Sequence, residues 1–176
     1  MRLNLAYVAL LAAGTAQQAF CARDFKQTLT DFEALENAAR EVGTSVDNYH
    51  GGLTGAVDVA NKGRAAQQAA DNARKNLDAD KEPFTDTEAR QVMDYYDRTN
   101  PIIVDNLHKV TEKAPEFRKA GVGSIAHGMV SHMQDTKEAL RVAYQQKLPT
   151  EEQRRMASSD DKLDNAFKEA SAALSE

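Results

Sequence analysis

The chain has 176 residues, with 22 Lys and Arg against 27 Asp and Glu, a net charge of −5. That length holds one domain most simply, and an acidic balance without basic clusters argues against a nucleic-acid surface. Aromatic residues make up 6%, Trp is absent, and Ala, Asp, Glu, Lys and Gln dominate, a composition of helices rather than strands.

The N-terminus has the three-part pattern of a secretory leader. Arg2 gives a short positive region, Leu5 to Ala13 an apolar run, and Gly14 and Ala16 the small residues at positions −3 and −1 of a cleavage site. The expected leader is residues 1–16. A later cut, leaving the leader as 1–22, has the bulky Phe20 at −3. The apolar run is about half of the ~20 residues a membrane span needs, so no transmembrane segment is expected. The working protein is then secreted, with one domain over 23–176. Cys21 is the only cysteine, so no intrachain disulfide can form and stability must come from burial.

From Arg23 to Tyr49 the apolar residues Phe25, Leu29, Phe32, Leu35, Ala39, Val42, Val46 and Tyr49 recur every three or four positions. This is close to a heptad seam and predicts a first helix that ends at His50-Gly51-Gly52. A second helix runs from Leu53 to Leu77. Its inner face carries mostly small residues: Ala60, Gly63, Ala66, Ala69, Ala70 and Ala73. Such a face permits close helix approach, or it leaves a space inside a bundle. Residues 78–83 form a polar linker, and Thr85 with Glu88 predicts a capping box opening a third helix. That helix carries Ala89, Val92, Met93 and Tyr96 inward. Thr99-Asn100-Pro101 predicts a kink or a short break before a further helical piece over 102–119, where Pro115 can bend the chain again.

The stretch from Asn100 to Pro149 is the organising one. Ile103, Leu107, Val110 and Phe117 form one apolar stripe, and Val122, Ile125, Ala126, Met129, Val130, Met133, Leu140 and Ala143 form a second. The two are expected to face each other across the loop around Gly121 and Gly123. Pro149 stops the fourth helix; Thr150 and Gln153 predict a second capping box at the start of the fifth. The fifth helix shows Met156, Leu163, Phe167, Ala170 and Leu174 on one face. Asp160 falls in the same stripe, either at an exposed edge or facing a polar pocket. The fold expected is therefore all-α, a single-domain bundle of about five amphipathic helices. Short loops near 50, 121 and 149 make successive helices mostly antiparallel.

Nothing in the sequence assembles a catalytic centre. His127 and His132 are five apart and do not share a helix face as an i, i+4 metal pair would, and no Glu-x-x-His occurs. There is no nucleophile elbow and no phosphate-binding loop. An enzyme, a bound metal and a cofactor are not expected.

The order of features from Gly55 onward resembles the fungal hydrophobic surface-binding protein A family, which includes cell-wall mannoprotein lipid-binding domains. The residues that carry the resemblance are Ile103-Val104-Asp105-Asn106-Leu107, Lys113 to Phe117, Ala120-Gly121-Val122, Met129 to Leu140, Lys147-Leu148-Pro149 and Asp164-Asn165-Ala166-Phe167. Pro115, the Gly51-Gly52 pair and the lack of a Ser/Thr-rich anchoring tail depart from the family's pattern. What the resemblance implies is a secreted five-helix bundle, extracellular or loosely associated with the cell wall. Its partner would be a fatty acid or other apolar ligand between the helices, or a hydrophobic surface. An interior ligand between the third, fourth and fifth helices would be lined by Ile103, Leu107, Ile125, Met129, Met133 and Phe167. The reading from a different class is a structural or effector-like interaction module whose stripes are ordinary packed core.

Overall fold

The computed structural model describes residues 25–175. The leader expected at 1–16, its later end at Ala22, and Cys21 lie outside the described residues. Six helices follow one another: α1 Phe25–Asp47, α2 Leu53–Ala79, α3 Asp86–Glu112, α4 Ala114–Lys119, α5 Gly123–Gln145 and α6 Thr150–Ser175. The described residues contain no strand. Five of the helices are the long amphipathic ones the periodicity predicts, and α4 is a short additional piece.

Local chemistry sets most boundaries as expected. Gly51 and Gly52 sit at φ +96° and +82°, a backbone region that side chains disfavour, and the chain turns there from α1 into α2. Thr85 opens α3 with a complete capping box. The Glu88 N–H donates to Thr85 Oγ1 at 3.4 Å, and the Thr85 N–H donates to Glu88 Oε2 at 2.8 Å.

Two boundaries differ from expectation. α3 runs unbroken through Pro101, and the break falls at Lys113 instead, with Pro115 in the first turn of α4. Pro101 and Asp97 are both exposed, so the carbonyl that loses its donor to the proline faces water rather than core. Buried Thr99 and Asn100 on the inner face hold the helix in register across it. At the second boundary, Thr150 is the first helical residue rather than the cap, because the Gln153 N–H donates to the Pro149 carbonyl at 3.0 Å. Gln153 does not close a capping box. Its Nε2 reaches back to the carbonyls of Gln145 and Leu148, at 2.9 and 2.8 Å. The reason is Pro149: it has no N–H to give to Gln145 four residues earlier, and the side-chain amide supplies one.

Each long helix packs mainly on two others, in the ring order α1, α2, α5, α6, α3 and back to α1. Successive long helices reverse direction along the chain. Asn76 on Asp31 (2.6 Å) and Lys62 on Glu41 (2.8 Å) show it for α1 and α2. Neighbours in the ring need not be successive in sequence, however. α3 and α6 run the same way, with Tyr96 beside Asp160 and His108 beside Glu169. The stripes of α3 and α5 do face each other, but across the middle of the ring, with no extended contact between the two helices.

That topology has a geometric consequence. Five helices about 9 Å apart stand about 8 Å from their common axis, while a helix with its side chains has a radius of about 5 Å. With side chains of average length a central tube about 3 Å in radius is left, which only longer inward side chains would close. An aromatic pair stands at each end of the ring. At one end Phe117 of α4 stacks on Tyr49, ring centres 4.3 Å apart and 12° from parallel. At the other, Phe84 in the α2–α3 linker meets Phe25 edge-on at 5.9 Å. The buried Lys147 ties that linker down, donating to the carbonyls of Asp80 (2.6 Å) and Glu82 (3.3 Å).

Candidate functional site: an apolar cavity inside the ring

The inward side chains do not fill the tube. A cavity of about 130 Å³ remains, room for roughly ten water-sized bodies. Every long helix contributes to its wall. Along α3 the wall runs from Tyr95 to Val110, about 22 Å at 1.5 Å per residue. A bilayer's ~30 Å hydrocarbon core is two acyl chains deep, about 15 Å for each, so a wall of this length accommodates one long aliphatic chain.

The small residues of α2 serve both of the roles its sequence allows. Ala66 and Ala70 stand in the cavity wall and leave space in front of them. Gly63, further along, is a close approach: the Met129 methyl lies 2.6 Å from where a Cβ would be.

Of the six residues expected to line an interior site, Ile103, Leu107, Met133 and Phe167 are in the wall of this cavity. Met129 is not; its methyl packs against Gly63 between α5 and α2. Ile125 is not either, being 59% exposed on the outside of the bundle. The inward face of α5 is centred on Val130, Met133, Lys137 and Leu140. Ile125 and Met129 lie at one margin of that stripe, and periodicity fixes a spacing without saying which margin is covered.

One side of the cavity is polar, and this is what the sequence hid. Asp160, which the helical pattern leaves either at an edge or facing a polar pocket, is 6% exposed and lies in the wall. The Tyr96 hydroxyl donates to Asp160 Oδ1. Lys137 Nζ lies 3.6 Å from the same oxygen and 2.8 Å from Asp164 Oδ1. Asn100 Nδ2 donates to Ser159 Oγ at 3.4 Å. Burial, and then the Asp160 hydrogen bond, push the Tyr96 phenol far above its ordinary range; burial does the same to Tyr144. Both tyrosines therefore stay neutral hydroxyls at any physiological pH. The one available signal for this cluster was Asp160 itself, a carboxylate on an apolar stripe. Its partners come from α3 and α5, 64 and 23 residues away in sequence.

A serine–histidine contact also exists, Ser171 Oγ to His127 Nε2 at 2.9 Å. It lies outside the cavity wall, and no carboxylate among the described residues orients the imidazole from its other nitrogen. Such a pair lacks the third member that holds a catalytic base in place. The described residues hold no group of three metal-type ligands, and no helix among them is long and apolar enough to cross a membrane.

These features define an all-α bundle built around an elongated, mainly apolar cavity with one polar side. The chain belongs to the hydrophobic surface binding protein A family, which it matches over residues 25–146. Its fold is similar to that of AFMP4P, solved in complex with palmitic acid. That likeness has a TM-score of 0.82 and 22% identity, and covers 86% of this chain and 99% of that one. Ligand-binding domain 1 of the Penicillium marneffei MP1 protein, complexed with arachidonic acids, matches with a TM-score of 0.76 and 21% identity, over 85% and 95% of the two chains. Domain 2 of the same protein, complexed with multiple arachidonic acids, matches at 0.79 and 16%, over 88% and 97%. No curated protein matches by sequence.

Proposed function

We propose that this chain is a secreted, non-catalytic binding protein whose interior takes a long aliphatic ligand of the fatty-acid kind. The observation that carries this reading is the cavity: a ring of five helices leaves a long apolar space that its own side chains do not occupy. Family membership and the fatty-acid complexes of proteins with this fold support it. Ile103, Leu107, Met133 and Phe167 form the contact surface for the chain. Ligand and wall then gain about 25 cal/mol for each Å² of apolar surface removed from water. The expected leader places the protein outside the cell.

A bulky residue at the middle of the wall tests this. Met133→Trp fills the space, so displacement of a fluorescent fatty acid should be lost while the melting temperature stays near that of the wild type. Wild-type protein that takes up no probe would refute interior binding. A mutant that only loses stability, by about 1–3 kcal/mol, would mean the site was close-packed core.

A second reading, adsorption to hydrophobic surfaces, is favoured by a separate observation. Leu53, Val57 and Ile125 are 64%, 58% and 59% exposed, and all lie in the first turns of α2 and α5. Those two neighbouring helices run in the same direction, so the three side chains stand toward one end of the bundle. An oily surface would cover them without any change in the cavity.

A further inference from the structure

The polar side of the cavity bears on which end group a bound chain can carry. Asp160 is the acidic group in the wall, and it is 6% exposed. The groups around it come from three helices. α3 supplies Tyr96 and Asn100. α5 supplies Lys137, and also Arg141, whose Nε donates to Glu138 at 2.8 Å. α6 supplies Asp164 and Ser159. The facing parts of α1 and α2, such as Leu35 and Gln67, are uncharged.

Two cations thus meet three carboxylates, and the neighbourhood keeps a net negative charge. Lys137 is already engaged by Asp160 and Asp164, and Arg141 by Glu138. An ionised ligand carboxylate entering here would lose its water, find each cation shared with a protein carboxylate, and lie close to Asp160. A hydroxyl or an un-ionised carboxylic acid meets the opposite situation. Asp160 has lone pairs left to accept from an O–H, and such hydrogen bonds to a charged acceptor are the strong ones.

We propose that Asp160 accepts a hydrogen bond from the polar end of the ligand. The cavity thereby selects long aliphatic chains ending in a neutral O–H donor over chains ending in an ionised carboxylate. Under this proposal, which rests on the interior-binding reading above, a fatty acid is taken up in its protonated form. Its apparent affinity rises as pH falls toward the acid's own pKa. The alcohol of the same length has no such dependence. Asp160 is here a specificity-determining residue.

The test uses the neutral fluorophore N-phenyl-1-naphthylamine as the reporter of cavity occupancy, displaced by 1-dodecanol or by dodecanoic acid. At about pH 8 the alcohol should displace it at a concentration at least about tenfold lower than the acid, since like charges in a partly dry site repel strongly. At about pH 5, where a growing share of the acid is un-ionised, the gap should narrow. Asp160→Asn keeps an oxygen for Tyr96 but removes the charge, so at about pH 8 it should weaken displacement by the alcohol and ease entry of the acid, narrowing the gap. Dodecanoate matching the alcohol at pH 8 in wild type, or an unchanged gap in a folded D160N protein, would overturn the proposal while leaving the cavity reading intact. Failure of both competitors, or of the fluorophore, to enter would overturn the cavity reading as well. If D160N does not fold, the wild-type pH series decides alone.

Discussion

Two buried glycines show how a single atom acts differently by context. At Gly43 a Cβ would stand 2.4 Å from Asn106 Oδ1. That asparagine is buried and fixed, since its Nδ2 donates to the Ala39 carbonyl at 2.7 Å and so joins α3 to α1. At Gly63 the obstacle is the terminal methyl of Met129, the free end of a flexible side chain. Gly43→Ala should therefore cost about 1–3 kcal/mol through overpacking. Gly63→Ala should be neutral or stabilising, because alanine gains up to about 1 kcal/mol in a helix interior. The melting temperature of Gly43→Ala should fall below that of the wild type and that of Gly63→Ala should equal or exceed it; equal losses would contradict the packing described. Ile125 gives a second residue-scale prediction. Being 59% exposed and outside the cavity wall, it should tolerate Ile125→Ser with a change within about 0.5 kcal/mol. Fatty-acid uptake should be unaltered, while adsorption to hydrophobic beads should weaken. Loss of uptake in this variant would put Ile125 back in the interior site.

At the scale of the element, the junction of α5 and α6 separates two roles that one sequence pattern suggests together. Thr150 followed by Gln153 resembles a capping box, yet Gln153 serves the carbonyls of Gln145 and Leu148. Gln153→Ala removes both hydrogen bonds and should cost about 1–2 kcal/mol. Thr150→Ala, at an exposed position already inside the helix, should cost less than about 0.5 kcal/mol. Denaturant titration of both variants decides the order, and a larger loss at Thr150 would restore the cap. The same reasoning explains α3. Its exposed Pro101 is tolerated mid-helix because the helix is held by its inner face, whereas Pro115 finds a first-turn position in α4.

For the whole molecule, the ring of five is what couples fold to binding. A protein whose interior is incompletely filled in the free state should gain stability on taking up a ligand that completes it. With dodecanol at about a hundred times its dissociation constant, the gain is about 2.7 kcal/mol. For a domain of this size that raises the melting temperature by roughly 5–10 °C. Met133→Trp, with the space occupied, should show no such shift. An equal shift in both proteins would place the ligand elsewhere, for instance on the exposed end carrying Leu53 and Val57.

Sequence alone determined the elements. Apolar spacing of three and four marked all five long helices, the Gly51-Gly52 turn and the Thr85–Glu88 capping box, because these depend on residues within a few positions of each other. It also pointed to Ile103, Leu107, Met133 and Phe167, which lie at the centres of their stripes. What it could not determine depends on which helices become neighbours. The stripe of α5 does not say whether it meets α3 directly or across a cavity, and so it does not separate Met133 from Met129 and Ile125. Nor does a lone Asp160 on an apolar face announce Tyr96 and Lys137, which reach it only because α3 and α5 flank α6 in the ring. Local periodicity is a property of one helix. A cavity and its polar side are properties of five, and the tertiary structure decided them.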